Sequence, residues 1–356
     1  MELSKADTLI AKGVAILGMV MLHLFCRLGN LPYSPLFYFA DTPIIYYLGL
    51  FGDLCVPIYC FCSGYANHLI WSRDPSAYSK RIPVKILSLL KNYWVVVVLF
   101  SLLGFFFAPD SGIPGSFSTF MGNILLFRMN YNGSWWFVVT YLFLLVFSPA
   151  ISGFVSKART WIILLISFSF YFIAYFFRFI HPLTLTHPIP NWFWQQFVLF
   201  GTSLFPYVAG SLCYQKLWIS RLRLWLQTDN SPLPSCRRYF RFTVIYILPF
   251  LAFSGHCIVQ SVFVAPFTAA AVLLSLFISK LPRWFIHVFS CLGKHSTNIW
   301  LAHMFFYLSM FPGLVFRAKY PLLILLFMMT LCFACSVAIR TICALFDRGF
   351  GKLLHQ

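Results

Sequence analysis

Apolar residues occur along this chain in long runs that are separated by short segments containing charge, proline or asparagine. Each run approaches the roughly 20 apolar residues that a helix needs to cross the hydrocarbon core of a bilayer. The seventh and eighth runs are separated by little more than Ser254–Gly255–His256. Segment 282–293, before the ninth run, is predicted to be a short amphipathic piece that lies at the membrane interface. The pattern predicts ten membrane-spanning helices, at approximately 9–28, 46–70, 86–107, 134–154, 161–180, 195–214, 242–257, 258–279, 296–315 and 321–346.

The composition agrees with a membrane-embedded chain and excludes an ordinary soluble domain. Hydrophobic residues make up 60% of the 356 residues and charged residues only 10%, whereas soluble domains carry roughly 45–50% and about 25%. No linker or internal repeat is visible. We therefore predict an all-α polytopic transmembrane bundle of about ten helices, with residues 1–356 forming a single transmembrane domain.

The net charge of +18 is distributed in a way that favours a membrane over nucleic acid. The basic residues form short clusters between apolar runs, not one patch or tail. With both termini in the cytoplasm and ten spans, 21 of the 26 basic residues lie on the inner side, as the positive-inside rule requires. The outer side keeps only Arg27, Arg128, Arg178, Arg317 and Lys319.

Two ionisable residues lie inside the first predicted helix and are candidates for chemistry. Insertion of such a group costs about 2.5–3.5 kcal/mol, and intramembrane charges are functional candidates for that reason. Lys12 and His23 are eleven residues apart, which at 100° per residue places them on one helix face and roughly 16 Å apart along the axis. A snorkelling anchor remains the alternative for Lys12, and a packing role the alternative for His23.

The stretch from Lys12 to His23, with Ser4 and Asp7 before it, resembles the opening of the acyltransferase-3 family of integral membrane O-acyltransferases. That family carries a basic residue, ten intervening residues and a histidine required for activity. Further matches follow in order along nearly the whole chain, at Val56-Pro-Ile-Tyr-Cys-Phe-Cys-Ser63-Gly64-Tyr65, Lys80-Arg81-Ile-Pro-Val-Lys85 with Tyr93-Trp94, Trp136-Phe137, Gly293-Lys-His-Ser296 and Leu301-Ala-His303.

The resemblance implies a donor, an acceptor and a set of site residues. The donor would be an acyl-CoA, in the first place acetyl-CoA, and the acceptor a hydroxyl of a cell-surface or lipid-linked polysaccharide. His23 would be the general base or a transient acyl carrier, and Lys12 would hold the donor. This chain has Lys12 where the family usually has arginine, and Arg81 with Lys85 in place of two arginines three apart.

Several other residues receive supporting roles in this interpretation, each with a plainer alternative. Lys80, Arg81 and Lys85 lie on the inner side, where they would bind the phosphates of the donor or act only as positive-inside charge. Asp53 could orient His23, pair with Arg27, or lie at a solvated rim. Ser296 and His303 are possible supporting residues, although His303 could be structural.

Some signals lead to no site. The eleven cysteines lack zinc-ligand spacing and are expected to be small apolar residues. No metal site and no bound cofactor are expected, and nucleic acid is not an expected partner. Asn132-Gly-Ser134 matches a glycosylation acceptor, which we interpret as chance.

We therefore predict an acyltransferase in the bacterial inner membrane. Its partners would be acyl-CoA, the glycan or lipid-linked acceptor, and membrane lipid. The alternative is a non-enzymatic transporter or flippase that uses intramembrane charges as substrate contacts. Such proteins are often built from repeated halves, which this sequence does not display.

The predicted topology can be tested with reporter fusions. A reporter that is active only in the periplasm should be inactive when fused after Gln356 and active when fused near Asn132, because 21 of 26 basic residues then lie inside. Activity of the fusion at Gln356 would require an odd number of spans and would contradict the ten-helix topology.

Overall fold

The computed structural model describes residues 2–29, 31–227 and 234–353, and its regular structure there is almost entirely helical. Both ends of the predicted domain, Met1 and Gln356, lie outside these ranges. The α-helices are α1 (Lys5–Phe25), α2 (Ile44–Leu50), α3 (Cys55–Arg73), α4 (Pro75–Phe107), α5 (Phe117–Ile124), α6 (Trp136–Lys157), α7 (Thr160–Tyr175), α8 (Pro188–Gln215), α9 (Trp218–Gln227), α10 (Pro234–Phe242), α11 (Leu248–Val259), α12 (Ala265–Ile278), α13 (Arg283–Met304), α14 (Pro312–Phe316) and α15 (Pro321–Leu353).

Short segments of other structure extend or connect these helices. Strands β1 (Tyr38–Phe39) and β2 (Thr42–Pro43) form an antiparallel pair in which Tyr38 is opposite Pro43 and Phe39 is opposite Thr42. Tight 3-10 turns lie at Phe51–Leu54, Pro109–Ser111, Gly133–Trp135 and Val262–Val264. π-helical turns lie at Phe176–Ile180, Thr243–Ile247 and Phe305–Ser309, where they extend α7, join α10 to α11 and extend α13.

A helix is present at each of the ten predicted positions, which confirms the all-α helical bundle. Within the described ranges, eight helical segments are long and apolar enough to cross a membrane. The remaining two correspond to the eighth and ninth predicted spans. The eighth, Val262–Ile278, is apolar but shorter, and the ninth is the longer α13.

Two predicted boundaries need correction. The break expected at Ser254–Gly255–His256 lies inside α11, and the chain turns instead at Gln260, whose backbone is left-handed with φ of 47°. The separate interfacial piece expected at 282–293 is the first half of α13, which runs without interruption from Arg283 to Met304. A helix continues through Gly293 because that glycine packs against a neighbouring helix, as described below.

The described chain divides into two compact units whose segments alternate along the sequence. The first unit comprises Met1–Gly18, Leu50–Ile82 and Thr140–Lys294, and the second comprises Met19–Gly49, Pro83–Val139 and His295–Gln356. Helices α1, α2, α4, α6 and α13 each contribute residues to both units. The prediction of a single domain is not tested by this division.

The first unit is built around close contact between α3 and α8. A methyl group added at Gly64 of α3 would overlap the backbone carbonyl of Tyr207, and one added at Gly210 of α8 would overlap the carbonyl of Phe61. Close approach of this kind through small residues is characteristic of helix association in membranes. Gly64 belongs to the Ser-Gly-aromatic match, so part of that motif has a packing function.

A second reciprocal crossing in the first unit joins α1 to α13. A methyl group at Gly13 would overlap the carbonyl of Phe289, and a methyl group at Gly293 would overlap the carbonyl of Leu9. Each helix therefore places a glycine against the other helix one turn from the partner's glycine. Gly293 opens the Gly-x-x-Ser match, and this contact is a physical reason for a glycine there.

The second unit contains aromatic packing and a charged pair between the middle of α4 and α15. The rings of Phe100 and Phe305 stack with their centroids 4.1 Å apart. The ring of Tyr93 meets the fully buried Trp135 edge-on at 4.8 Å. Lys91 Nζ lies 2.6 Å from the carboxylate of Asp347 on α15.

The glycine crossings generate a stability prediction with a matched control. Gly64→Ala or Gly210→Ala should lower the stability of the detergent-solubilised protein by about 1–3 kcal/mol, because the added methyl meets backbone that must move. Gly255 is also helical but has open space around it, so Gly255→Ala should be neutral or slightly stabilising. Thermal unfolding followed by size-exclusion chromatography measures the difference, and equal effects at all three positions would contradict the packing role.

Candidate active site

The last turn of α1 carries His23, and the chain beyond it is tied back to the helix end. Tyr33 donates from its hydroxyl to the carbonyl of Phe25 at 3.2 Å, and the two rings pack edge-on at 5.2 Å. Burial raises the pKa of Tyr33 to about 12, so the phenol stays neutral and remains a donor at physiological pH. This contact defines where α1 ends, two residues after His23.

His23 lies beside His303 of α13 within the second unit. The centroids of the two imidazole rings are 5.0 Å apart, and Tyr307 lies 6.4 Å from His23 and 6.1 Å from His303. The guanidinium of Arg27 lies over the Tyr307 ring at 5.8 Å. His23 is half-buried and His303 is fully buried, so only His23 of this pair is accessible to a substrate.

Hydrogen bonding fixes the tautomer of His303. Its Nδ1 lies 2.7 Å from the carbonyl oxygen of Trp300, and since a carbonyl only accepts, Nδ1 carries the hydrogen. In the neutral imidazole the lone pair is then on Nε2. Nε2 is buried and has no hydrogen-bond partner among the described residues. The second unit therefore holds an unused proton acceptor on the ring next to His23.

The segment before α6 fixes the part of α13 that carries His303. Asn132 Nδ2 and Trp135 Nε1 both donate to the carbonyl of Leu301, at 2.9 and 3.0 Å. Trp300 in turn donates from its indole to the carbonyl of Ser134 at 3.2 Å, and its ring meets Phe137 edge-on at 5.6 Å. Phe137 is half of the Trp-Phe match, so that match supports α13 one turn before His303.

The same contacts agree with the interpretation of Asn132-Gly-Ser134 as a chance match to a glycosylation acceptor. Asn132 is 1% exposed, its amide nitrogen donates to Leu301, and its oxygen accepts from both the backbone and the hydroxyl of Ser134. An amide in this position has no room for a glycan.

Lys12 lies in the first unit as a half-buried cation. Its ammonium forms no hydrogen bond and no salt bridge within the described residues, although it is close enough to the Cys62 thiol to interact electrostatically. Only its backbone carbonyl is engaged, by the hydroxyl of Tyr59 at 3.4 Å. A half-buried ammonium without a carboxylate can bind an anion.

The three predicted phosphate-binding cations lie at the start of α4 in two different environments. Lys80 and Arg81 are exposed in the first unit, whereas Lys85 is half-buried in the second unit and has polar contacts of its own. Helix α4 continues through Pro83, so all three belong to one helix. Arg81 and Lys85 are four residues apart and share a face.

Asp53 has a histidine partner that the sequence did not identify. Its carboxylate lies 3.3 Å from His256 Nε2 in the first unit, with the histidine 2% and the aspartate 16% exposed at their side chains. Arg27 has the Tyr307 ring as its neighbour. A carboxylate inside a bilayer needs a nearby proton donor, and His256 supplies one here.

His256 is a buried polar residue of α11 that lies where the sequence predicted a helix junction. Its Nδ1 is buried without a hydrogen-bond partner in the described structure. The available signal was a histidine inside an apolar run, the same signal that drew attention to His23. What the sequence could not supply was its pairing with a residue 203 positions away.

The Gly-x-x-Ser match leads to a buried serine and to a neighbouring histidine. Ser296 is 2% exposed. The preceding residue, His295, places Nδ1 2.9 Å from Ser336 Oγ and Nε2 3.4 Å from the guanidinium of Arg340. This resembles a serine activated by histidine, but proton placement argues against that interpretation.

Arginine has donors and no acceptor, so Nε2 of His295 must supply the lone pair to Arg340. Nδ1 then carries the hydrogen and donates it to Ser336 Oγ. A histidine in that tautomer cannot take a proton from the serine. We conclude that His295 and Ser336 stabilise the packing of α13 against α15 and do not form a nucleophilic pair.

Cysteines and metal-binding groups add nothing to this site. All eleven cysteines are free thiols. In the described part of the chain, no group of three or more His, Cys, Asp or Glu side chains is arranged to hold a metal ion. The chemistry available here is that of imidazole and of basic side chains.

The candidate site therefore consists of two neighbouring histidines in the second unit and, in the first unit, a half-buried lysine, all on apolar helices. The sequence profile described as an acyltransferase domain, that of the acyltransferase-3 family, matches residues 10–341. The chain therefore belongs to the acyltransferase-3 family and is an acyltransferase, which confirms the resemblance and favours the enzyme over the transporter. No curated protein and no solved structure gives a significant match.

Proton placement at His295 generates a prediction about Ser336. Ser336→Ala should retain acyl transfer within about threefold of the unaltered enzyme, because the hydroxyl accepts a hydrogen bond and is not a nucleophile. Transfer of radiolabel from an acyl-CoA, normalised to membrane-inserted protein, measures this. A loss of a hundredfold or more, with normal insertion, would restore Ser336 as an acyl-carrying serine.

Proposed function

We propose that this protein is a membrane O-acyltransferase that moves an acyl group, in the first place acetyl, from acyl-CoA to a hydroxyl of a cell-surface or lipid-linked polysaccharide. Its location would be the bacterial inner membrane. The family supports acyl transfer in general. The donor, the acceptor and the acetyl group belong to the proposal.

The observation that carries the mechanism is the pair formed by His23 and His303, 5.0 Å apart. His23 is the accessible member and has the residue type whose unperturbed pKa, near 6.5, suits proton transfer at neutral pH. His303 is fixed with its lone pair on Nε2. A neutral acceptor next to His23 would favour the imidazolium that His23 becomes when it takes a proton.

In the general-base route, His23 removes the proton from the acceptor hydroxyl as its oxygen attacks the thioester carbonyl. The carbon–oxygen bond forms, the carbon–sulfur bond breaks, and the proton passes from His23 to the departing thiolate. Positioned general-base catalysis contributes roughly 10²–10⁴-fold to such a step.

The acyl-carrier route uses the same residue as a nucleophile. A ring nitrogen of His23 attacks the thioester, CoA leaves as the thiol, and the acyl-imidazole is then attacked by the hydroxyl. Both routes convert one thioester and one hydroxyl into one ester and one thiol. Trapping an acylated His23 in acid-quenched protein would select the second route.

Lys12 is proposed to hold an anionic or polarised oxygen of the donor. The support is its half-buried ammonium without a carboxylate partner, which can form a charge-assisted hydrogen bond to a phosphate or to the thioester oxygen. Lys80, Arg81 and Lys85 are proposed to bind donor phosphates, since acyl-CoA is cytosolic and these residues lie on the inner side in the predicted topology.

The first test concerns His23. His23→Ala should lower transfer by about 10²-fold or more while the protein inserts at normal levels, because the substitution removes a polar group from the membrane. Incorporation of radiolabel from acetyl-CoA into glycan is the assay. Full activity in this variant would remove the base, and the mechanism would fall with it.

The second test separates donor binding from anchoring at Lys12. Lys12→Arg should keep activity because the charge is preserved, whereas Lys12→Ala should raise the KM for acetyl-CoA about tenfold or more, since a charge-assisted contact is lost. A snorkelling anchor predicts that Lys12→Ala is nearly silent. Lys157→Ala, at an exposed inner cation, is the matched control and should leave the KM unchanged.

A further inference from the structure

The two helices α9 and α10 lie between the membrane-crossing helices α8 and α11 and are not needed by the mechanism above. Leu217 ends the α8 segment with a left-handed backbone, φ 55°, and α9 begins at the next residue as a separate helix. Ten residues span about 15 Å, half of the hydrocarbon core. Helix α9 is therefore too short to cross a membrane.

One face of α9 is anchored to the first unit. Arg223 donates to the carboxylate of Asp7 at 3.3 Å and to the carbonyl of Phe277 at 2.9 Å. Ser220 donates to Glu2 at 3.0 Å, and Ile219 is buried. The side chains of this face are therefore engaged in contacts within the protein.

The other face of α9 is exposed and combines apolar rings with a cation. Trp218, Arg221 and Trp225 lie three and four residues apart, which places them on one side of the helix. All three are exposed, as is Leu224. Arg221 has no carboxylate partner in the described structure.

Helix α10 continues this surface. The guanidinium of Arg237 lies over the Trp225 ring at 5.4 Å, and the Phe240 ring meets Trp225 edge-on at 5.2 Å. These contacts join the exposed face of α9 to α10. Next to them, Arg238 and Tyr239 are exposed, and Arg238 also lacks a carboxylate partner among the described residues.

We refer to these side chains together as the basic-aromatic surface: Trp218, Arg221, Leu224, Trp225, Arg237, Arg238 and Tyr239. The described residues of α9 and α10 include no aspartate or glutamate. Helix α10 leads through a π-helical turn into α11, within the apolar segment Cys236–Val259 that is long enough to cross a membrane. Its first turns therefore lie where a membrane-crossing segment begins.

We propose that the basic-aromatic surface binds the phosphate headgroups of anionic phospholipids in the inner leaflet. Arginine recognises phosphate through two parallel hydrogen bonds, and exposed Trp, Tyr and Leu on the same side are at home at the boundary between headgroups and acyl chains. The positive-inside count places this segment on the cytoplasmic side, where anionic lipids attract basic segments.

The phosphates of acyl-CoA offer the same chemistry to arginine, but the aromatic residues favour lipid. A soluble nucleotide would leave the exposed rings of Trp218 and Tyr239 facing water. A lipid surface supplies the phosphate and the apolar phase together.

The test compares lipid retention by two double variants of the full chain. Protein purified from nanodiscs containing phosphatidylglycerol and phosphatidylcholine is analysed by native mass spectrometry. Arg221→Gln with Arg238→Gln should lower retained phosphatidylglycerol about tenfold relative to phosphatidylcholine. The control, Lys157→Gln with Arg159→Gln, removes two exposed inner cations away from this surface and should change little.

Arg221→Lys with Arg238→Lys keeps both charges and should retain part of the preference for phosphatidylglycerol. This variant distinguishes loss of charge from misfolding as the cause of weaker retention. Unchanged phosphatidylglycerol retention in the Gln variant would overturn the proposal. So would displacement of the bound lipid by 3′,5′-ADP, which would assign the surface to the nucleotide of the donor. Lipid retention is measured without acyl transfer, so its failure and failure of the proposed function are distinguishable.

Discussion

Helices inside a bilayer gain no hydrophobic free energy by touching each other, because lipid tails are as apolar as the side chains they replace. Association must come from close packing of backbones and from polar contacts. In this protein glycines meet that requirement. Gly13 and Gly293 bring α1 against α13, and Gly64 and Gly210 bring α3 against α8. The sequence motifs that contain these glycines therefore have a function in helix packing.

The crossing glycines and the histidines have the same sequence spacing on α1 and on α13. In each helix the histidine follows the crossing glycine by ten residues, from Gly13 to His23 and from Gly293 to His303. Within the second unit the two histidine rings lie 5.0 Å apart. Asn132 and Trp135 hold α13 at Leu301, two residues before His303. These contacts fix the position of the His303 ring, and its hydrogen bond to the carbonyl of Trp300 fixes its tautomer.

The buried polar groups divide into those that are used by the protein and those that are not. Asp53 has His256, and His295 has both Ser336 and Arg340. The ammonium of Lys12 and Nε2 of His303 have no hydrogen-bond partner in the described structure. An unpartnered buried polar atom costs free energy, and these two groups lie on α1 and α13, which carry family motifs.

The sequence by itself was sufficient for the helical class, for the positions of the long apolar helices in the described residues, and for the family. Apolar run length and the rarity of intramembrane charge are local properties, readable without knowing any contact. Local reasoning misplaced the break before α12 and split α13, because Gly255 and Gly293 are compatible with a helix and only their surroundings decide what they do.

The partners of the charged and polar residues were decided by tertiary structure alone. Asp53 meets His256 across 203 positions and His295 meets Arg340 across 45, distances over which sequence spacing says nothing about contact. The tautomer of His303, and the direction of the hydrogen bond between His295 and Ser336, follow from which atoms face a carbonyl or a guanidinium. The direction of a hydrogen bond depends on which groups are neighbours in space. The roles of these residues could therefore not be predicted from the sequence.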